Sequence, residues 1–435
     1  MKLEAEAEEM CGGNGDSECV RQLQYASSLD FAGADDKAES SGSIAKMTPS
    51  EASMTLEHSI QLPIELWEKV IDHLVDDDIH DRAPRKRELE RVCRGWHARC
   101  RFRDRELLYV WDMDKHQMYR LINILRESPE RCRAIKRVSF RLGYGSACNV
   151  GLFAVCMAQK LPRAESLRLV GINWKPEQLH PQVFVHVTLA FESVTMLELS
   201  STMFPSALVF GRLVRALPRL SVLDCYDVNF EKHCDVASRI WERHPLWLDT
   251  ANLQVSDDVV GFLVTIGVRV RQLSCYVIDL ERLSELVTVS AESLSSLEVT
   301  FTQYVPPDPL VDLTLAANLH VLSFDFFDIV RLGQAASILS CASLPKLKGL
   351  RFNSSSMFDS TASFVQDKLD QVGQDSYARI DQTLSGRQYP ALQKVTFQIQ
   401  CRAPRSRVLD VISEVSLARL LSSRFPALHA SGRLV

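Results

Sequence analysis

A nine-residue phrase that returns four times is the feature that most constrains this chain. It consists of an apolar residue, Pro, any residue, a second apolar residue, two further residues, and a closing triplet whose first and last residues are apolar. The four copies are Leu161–Leu169, Leu217–Cys225, Leu344–Phe352 and Tyr389–Phe397. Such a phrase at long intervals indicates a stacked repeat, and stacked repeats mostly present extended binding surfaces. The sequence therefore favours molecular recognition over catalysis.

Weaker copies extend the repeat along most of the chain. The first residues of the closing triplets form a ladder: Val138, Leu167, Leu197, Leu223, Leu248, Leu273, Leu297, Leu322, Leu350 and Val395. Most steps are about 24 to 30 residues, a spacing typical of leucine-rich repeats of irregular length. Only two rungs keep the asparagine of the full signature, Asn173 and Asn229. We expect both to hydrogen-bond the backbone of the bend after the strand, and we describe the repeats as degenerate and leucine-rich-like.

The triplets and the segments between them predict alternating strands and helices. Residues two apart in a strand share a face, so the apolar triplet residues should point into the core. Segments of helical period lie between the triplets: 150–161, 205–217, 257–268, 308–317, 330–344 and 409–425. Strand followed by helix, repeated, predicts an α/β solenoid with a parallel sheet on its concave face and helices on its convex face.

The composition fits a protein of the cytoplasm or nucleus. Hydrophobic residues make up 46% and charged residues 24%, with a net charge of -5. No run of 18 apolar residues is present, and the acidic start lacks the features of a secretory signal, so we expect no membrane association. The 12 cysteines include no Cys-x-x-Cys pair. We therefore expect no metal and no cofactor.

Residues 1–58 differ from the rest of the chain. They are rich in Glu, Asp, Ser, Gly and Ala and contain few cations. Such a segment cannot bury enough apolar area to offset the entropy lost when its backbone is ordered. We expect an acidic, disordered tail.

Two amphipathic helices are predicted directly after the tail. Leu62-Pro63 starts the first, and its apolar residues continue to Leu74 with a period of 3.6. Leu89, Val92, Cys93 and Trp96 form an apolar stripe within a second, strongly basic helix. So short a segment has too small a core to fold alone, so we expect these helices to need a partner surface.

These residues resemble the F-box, a short helical motif. The similarity is carried by Leu62-Pro63-x-Glu65-Leu66, by Ile71 and Leu74, and by Val92-Cys93-x-x-Trp96, over about 45 residues. The charged interval 76–86 is longer than the usual loop of the motif. With leucine-rich-like repeats after it, the organisation is similar to that of fungal F-box proteins. The resemblance implies docking on a Skp-type adaptor, and through it on a cullin, in a cullin-RING ubiquitin ligase. The adaptor-binding residues it implies are Leu62, Pro63, Leu66, Val70, Ile71, Leu74, Val92 and Trp96.

Other interpretations of this region remain open. The two helices could act as the entry cap of the solenoid, because terminal repeats need a cover. The basic belt 82–105 could be a nuclear-import signal or a nucleic-acid patch. The interleaved Glu88, Glu90, Asp104 and Glu106 favour a solvated helix face instead, so nucleic-acid binding is the less favoured interpretation. The acidic run 76–81 lacks the spacing of a calcium loop and is interpreted as hydrated. No catalytic motif is recognisable, so we expect no enzyme.

The outward positions of the triplets supply candidate target-binding residues: Arg168, Glu198, Asp224, Tyr226, Asp249, Tyr276, Glu298, Asp325 and Arg351. Tyrosines among charges are typical of protein interfaces, whereas plain polar decoration is the alternative. The sequence predicts a tail at 1–58, F-box helices at 59–105 and a solenoid at 106–435. The expected function is substrate receptor of a ubiquitin ligase for an unidentified protein target, with an adaptor-bound scaffold that has no role in ubiquitylation as the alternative.

Overall fold

The computed structural model describes residues 63–76, 88–142, 147–175, 182–232, 245–276, 280–301, 311–355, 362–400 and 413–435. The predicted tail 1–58, Leu62, and most of the acidic run 76–81 and of the interval 76–86 lie outside these residues. The chain divides between Asp104 and Arg105 into two compact units.

The first unit contains two described long helices, α1 (Ile64–Asp76) and α2 (Arg94–Glu106), the second of which continues just past the division. Helix α1 begins one residue after Pro63, whose carbonyl oxygen accepts hydrogen bonds from the amides of Leu66 and Trp67. Residues 88–92 are also helical, but Cys93 is not. The prediction of one continuous basic helix that carries the stripe from Leu89 to Trp96 is therefore wrong, because the helix is interrupted at Cys93.

The second unit is built on one parallel sheet. Among the described residues, eleven strands follow one another in the sheet in chain order. They are β1 (Leu107–Trp111), β2 (Arg137–Arg141), β3 (Ser166–Val170), β4 (Met196–Phe204), β5 (Val222–Phe230), β6 (Trp247–Gln254), β7 (Arg269–Tyr276), β8 (Ser296–Phe301), β9 (Val321–Phe326), β10 (Gly349–Ser355) and β11 (Lys394–Gln400). The predicted α/β class with a parallel sheet is confirmed.

Helices fill most of the connections between the strands. They are α3 (Lys115–Glu127), α4 (Pro129–Ala134), α5 (Cys148–Met157), α6 (Val183–Ala190), α7 (Ala207–Arg215), α8 (Asp257–Thr265), α9 (Leu280–Ser290), α10 (Leu332–Cys341), α11 (Ala362–Gln371), α12 (Gln374–Ser385), α13 (Glu414–Arg424) and α14 (Pro426–Ala430). Crossovers between neighbouring parallel strands are right-handed, so successive connections in this order lie on one face of the sheet. The other face, which we call the open face, carries the outward residues of every strand.

The register of the sheet confirms nine of the ten rungs of the ladder. Val138, Leu167, Leu197 and Leu223 are direct partners on successive strands, and so are the five rungs from Leu273 to Val395. The rung at Leu248 is wrong, because Ala251 is the residue paired with both Leu223 and Leu273. Leu248 is also buried, at 2% exposed, and pairs with Val270 nearer the amino end of the sheet. Leu248, the predicted rung, lies three residues before Ala251, the residue that occupies this position in the sheet.

The repeated phrase combines a tight turn with a strand. In each of the four copies the fourth residue donates its amide hydrogen to the carbonyl oxygen of the first, as Ala164 does to Leu161 at 3.3 Å and Leu220 to Leu217 at 3.1 Å. Proline suits the second position of such a turn because its φ angle is already fixed there. The first and fourth residues are buried in every copy. The phrase thus ends one crossover and starts the next strand.

A backbone bend that lies at the end of β1, β3 and β6 but within β4 and β5 is a second repeated feature, which the sequence did not reveal. Five register-equivalent residues adopt positive φ angles: Asp112 (42°), Gly171 (66°), Ser201 (48°), Asp227 (54°) and Val255 (51°). Only one of the five is glycine, although L residues rarely adopt this conformation. The recurrence at equivalent positions supports a true structural repeat.

Several predicted elements need correction. The described part of the predicted helix 308–317 holds turns, and strand β1 extends the sheet one rung before the predicted ladder. Asn229 donates to the Oδ1 atom of Asp227 at 3.0 Å, and the Oδ1 atom of Asn173 is buried without a partner among the described residues. Neither shows the expected bond to the backbone of a bend. Within the described residues, the apolar rungs therefore pair as predicted, whereas the expected backbone contacts of these asparagines are not seen.

Candidate protein-interaction surfaces

Helix α1 carries an apolar stripe that is exposed in the described structure. Leu66, Val70 and Leu74, spaced four residues apart, share one side of the helix. Their exposed fractions are 43%, 38% and 38%. An isolated exposed leucine is ordinary, but an aligned row on one helix is typical of a protein-binding face.

The neighbouring side of α1 holds the first unit together. Trp67 contacts Trp96 with ring centroids 5.8 Å apart, and Ile71 is 3% exposed. Asp72 accepts two hydrogen bonds from Arg99, from Nε at 2.8 Å and from Nη2 at 2.5 Å. This paired geometry is the strong form of an arginine–carboxylate contact. The internal contacts leave the stripe of Leu66, Val70 and Leu74 uncovered.

The predicted adaptor-binding residues therefore divide into two groups. Pro63, Leu66, Val70, Leu74 and Val92 are exposed, and Val92 is the most exposed of the apolar ones at 59%. Ile71 and Trp96 take part in the internal contacts of the unit. Leu62 lies outside the described residues. The exposed group can bind a partner, whereas the internal group fixes the helices that present it.

The outward residues of the second unit form rows across the open face. The middle row, from β1 to β11, is Tyr109, Ser139, Arg168, Glu198, Asp224, Asn252, Ser274, Glu298, Ser323, Arg351 and Thr396. The carboxyl-side row, two residues further along each strand, is Trp111, Arg141, Val170, Ser200, Tyr226, Gln254, Tyr276, Thr300, Asp325, Asn353 and Gln398.

Eight of the nine predicted target-binding residues lie in these two rows. Arg168, Glu198, Asp224, Glu298 and Arg351 belong to the middle row, and Tyr226, Tyr276 and Asp325 to the carboxyl-side row. Asp249 does not, because the register of β6 places Asn252 in the middle row instead. Asp249 is exposed near the amino end of β6, where its amide donates to the carbonyl oxygen of Ser221 at 2.8 Å. The prediction that Asp249 is the outward triplet residue of its rung is therefore wrong.

Charges on β3 to β5 form a mixed cluster. Arg168 lies 3.5 Å from Glu198, measured from Nε to Oε2. Burial is the main cause that raises the pKa of Asp224 above its usual 3.8, and the Glu198 carboxylate raises it further. A hydrogen bond from Asn252 and the charge of Arg168 act in the opposite direction. The cation thus compensates part of the negative charge at this end of the row.

Glu298 and Asp325, on β8 and β9, form a carboxyl pair with little compensation. Burial is the main cause that raises the pKa of Asp325 to about 6. A hydrogen bond from Asn353 opposes the shift, whereas the charge of Glu298 and a hydrogen bond to Glu298 add to it. The Oδ1 atom of Asp325 is buried and has no hydrogen-bond partner among the described residues. Glu298 accepts a hydrogen bond from Ser274 at 3.1 Å. The two residues are diagonal neighbours, since Glu298 pairs with Ser323 and Asp325 with Thr300, and repulsion between their charges opposes folding.

Aromatic side chains lie beside these carboxylates. Tyr276 and Phe327 meet edge to face with ring centroids 5.7 Å apart, and Phe327 is 40% exposed. Tyr226, two residues after Asp224, is 50% exposed. At the first strand, Trp111 is 57% exposed and the Arg141 guanidinium lies 4.8 Å from its ring centroid. Exposed aromatic rings among charges resemble the anchors of protein interfaces.

The sequence interpretation missed Trp111, Arg141, Asn252 and Phe327. Alternation in Leu107–Trp111 could have placed Trp111 outward, had that segment been recognised as a strand. Phe324 and Phe326 are buried on the inward side, so alternation along the strand places the next residue, Phe327, on the outward side. Asn252 could not have been found, because its assignment depends on the irregular register of β6.

Two further classes of site are absent from the described residues. No group of three or more His, Cys, Asp or Glu side chains there could hold a metal ion. No described helix is both long and apolar enough to cross a membrane.

Comparison of the sequence with protein-family models and with curated proteins finds no match in either case.

Proposed function

We propose that this chain is a non-catalytic substrate receptor of a cullin-RING ubiquitin ligase. The first unit binds a Skp-type adaptor and the second unit binds the target protein. The observation that carries the proposal is the uncovered stripe of Leu66, Val70 and Leu74 on a helix that begins directly after Leu62-Pro63. A helix that only covered the end of a solenoid would have no need of such a stripe.

The second unit supports the same proposal. An open sheet face of eleven described strands, with exposed aromatic rings beside carboxylates, has the character of a recognition surface. The receptor acts by proximity, because it raises the local concentration of the target beside a separate conjugating enzyme. The chain itself needs no catalytic residues for this role.

The contacts of Arg99 and Arg103 weigh against the nucleic-acid alternative. Arg99 is bound to Asp72 and also lies 3.3 Å from Glu68, and Arg103 lies 3.4 Å from Asp72. These two cations of the basic belt are neutralised within the protein, which reduces their attraction for phosphate groups. A scaffold without a role in ubiquitylation would share every feature described, and only the fate of the target separates it from a receptor.

Affinity purification of the full chain followed by mass spectrometry tests the proposal. We expect adaptor and cullin peptides with the natural chain and their loss with a Leu66→Ala/Val70→Ala variant. Absence of adaptor peptides from both samples would refute the receptor and the adaptor-bound scaffold together. If the adaptor is recovered, stabilisation of a co-purified target after proteasome inhibition supports the receptor, whereas unchanged turnover supports the scaffold.

A further inference from the structure

The open face of β5 to β9 carries a single sign of charge in its middle and carboxyl-side rows. Within those two rows the described charged residues are Asp224, Glu298 and Asp325. The nearest cations of the middle row lie outside the patch, Arg168 on β3 and Arg351 on β10, whereas Arg269 and Arg271 lie at the amino end of β7. Arg168 is engaged by Glu198 and offsets only part of the charge of Asp224, so the described residues of the two rows give the patch a net negative charge.

Aromatic rings lie at both ends of this patch. At β5, Asp224 and Tyr226 form what we call the β5 site. At β7 to β9, the carboxyl pair of Glu298 and Asp325 lies beside the aromatic pair of Tyr276 and Phe327. A carboxylate next to an aromatic ring suits a guanidinium group, which binds carboxylate oxygens through its planar fork and stacks on the ring.

We propose that the open face of β5 to β9 binds an extended, arginine-bearing segment of the target protein, with one guanidinium at the carboxyl and aromatic pairs and a second at the β5 site. This proposal depends on the proposed function in treating the sheet as the target-binding surface. It explains why a like-charge pair that opposes folding occurs in the sheet, because a bound cation would compensate it.

The strand spacing sets the spacing of the two arginines. Asp224 on β5 and Asp325 on β9 are the outermost carboxylates of the two sites, and their strands are four steps of about 4.8 Å apart, which gives about 19 Å between them. An extended peptide advances about 3.3 Å per residue, so about six residues span this distance. The target segment should therefore carry arginines about six positions apart, with small or polar residues between them.

Selection of a phage-displayed library of random 12-residue peptides on the immobilised full chain tests the proposal. We expect enrichment of arginine at two positions five to seven residues apart. The tightest selected peptide is then synthesised with arginine, with lysine or with citrulline, the uncharged counterpart of arginine, at these positions. Citrulline should weaken binding at least about tenfold, measured by fluorescence anisotropy. Lysine should be weaker than arginine.

Protein variants locate the site. Glu298→Gln with Asp325→Asn keeps the size of both side chains and should weaken the arginine peptide at least about tenfold. Asp249→Asn removes the same type of charge outside the patch and should change binding less than about twofold. Selected peptides without arginine enrichment, equal binding of the citrulline peptide, or unchanged binding by the double variant would each overturn the proposal.

Adaptor binding is measured on the same protein preparations. If the chain binds the adaptor but shows no arginine preference, the arginine proposal fails while the proposed function stands. If the chain binds the arginine peptide but not the adaptor, the proposed function fails and the peptide site remains.

Discussion

Asp325→Asn should stabilise the protein at high pH and leave its stability unchanged at low pH. Burial and the Glu298 carboxylate raise the pKa of Asp325 from the ordinary 3.8 to about 6 in the folded chain. A group with a raised folded-state pKa binds more protons when folded, so its stabilising contribution is present below pH 3.8 and is lost as the pH rises through 6. Asparagine has nearly the same shape and carries no charge at any of these pH values.

The expected size of the effect follows from this shift. A rise from 3.8 to about 6 spans roughly two pKa units, and each unit corresponds to about 1.4 kcal/mol. The full value would be about 3 kcal/mol, but the Asp325 side chain is partly exposed and solvent screens its interactions. We therefore expect the variant to be more stable by about 1 to 2 kcal/mol at pH 8 and within about 0.5 kcal/mol of the natural chain at pH 4.

Urea unfolding curves at pH 4, 6 and 8 measure this difference directly, because titrations common to both proteins cancel. Asp249→Asn is the matched control, since it removes an exposed carboxylate that lies outside the carboxyl pair, and its effect should stay within about 0.5 kcal/mol at every pH. A loss of stability in Asp325→Asn at pH 8, or a gain of equal size at pH 4 and pH 8, would refute the argument that the pair is a charged, uncompensated contact.

Three further predictions concern the second unit, and urea unfolding at pH 7 tests each of them. Leu350→Ala should cost about 2 to 5 kcal/mol because Leu350 is fully buried, whereas the exposed Arg351→Ala should cost under about 0.5 kcal/mol; equal effects would contradict the strand register. Asp381→Ala should cost about 2 kcal/mol or more, because the buried carboxylate accepts hydrogen bonds from the amides of Ala427 and Leu428, both at 2.9 Å. A smaller loss of stability in Asp381→Ala than in Asp381→Asn would argue against this role. Gly171→Val should cost about 1 to 2 kcal/mol because valine disfavours the positive φ of 66°, and a neutral effect would show that the bend tolerates other conformations.

Apolar periodicity was sufficient to predict the sheet. The closing triplets each place two large apolar residues on one face, and nine of ten rungs pair as the sequence predicted. The prediction failed at β6 because Leu248 and Ala251 are both buried, and a ladder based on residue size selects the leucine. Strand β1 was missed because Leu107–Trp111 follows directly after a basic helix and consists of five consecutive apolar residues, so it shows no alternation of apolar and polar residues.

The candidate surfaces were predictable only where they follow strand alternation. Glu198, Asp224 and Glu298 lie in the middle row because each is the central residue of a triplet. The contact of Tyr276 with Phe327 joins the end of β7 to the residue directly after β9, two strands away, so no local pattern could reveal it. On helix α1, the period of 3.6 gave the apolar residues but could not separate the internal Ile71 from the exposed stripe, because that division depends on where Trp96 and Arg99 pack.

Isothermal titration of the purified full chain with a purified Skp-type adaptor tests the central proposal most directly. We expect the natural chain to bind, and Leu66→Ala with Val70→Ala to bind at least about tenfold more weakly, because two exposed apolar contacts are removed. Val185→Ala, an exposed valine of α6 that is 57% accessible, should bind like the natural chain. Failure of the natural chain to bind the adaptor, or equal binding by the double variant, would contradict the assignment of this stripe as the adaptor-binding face.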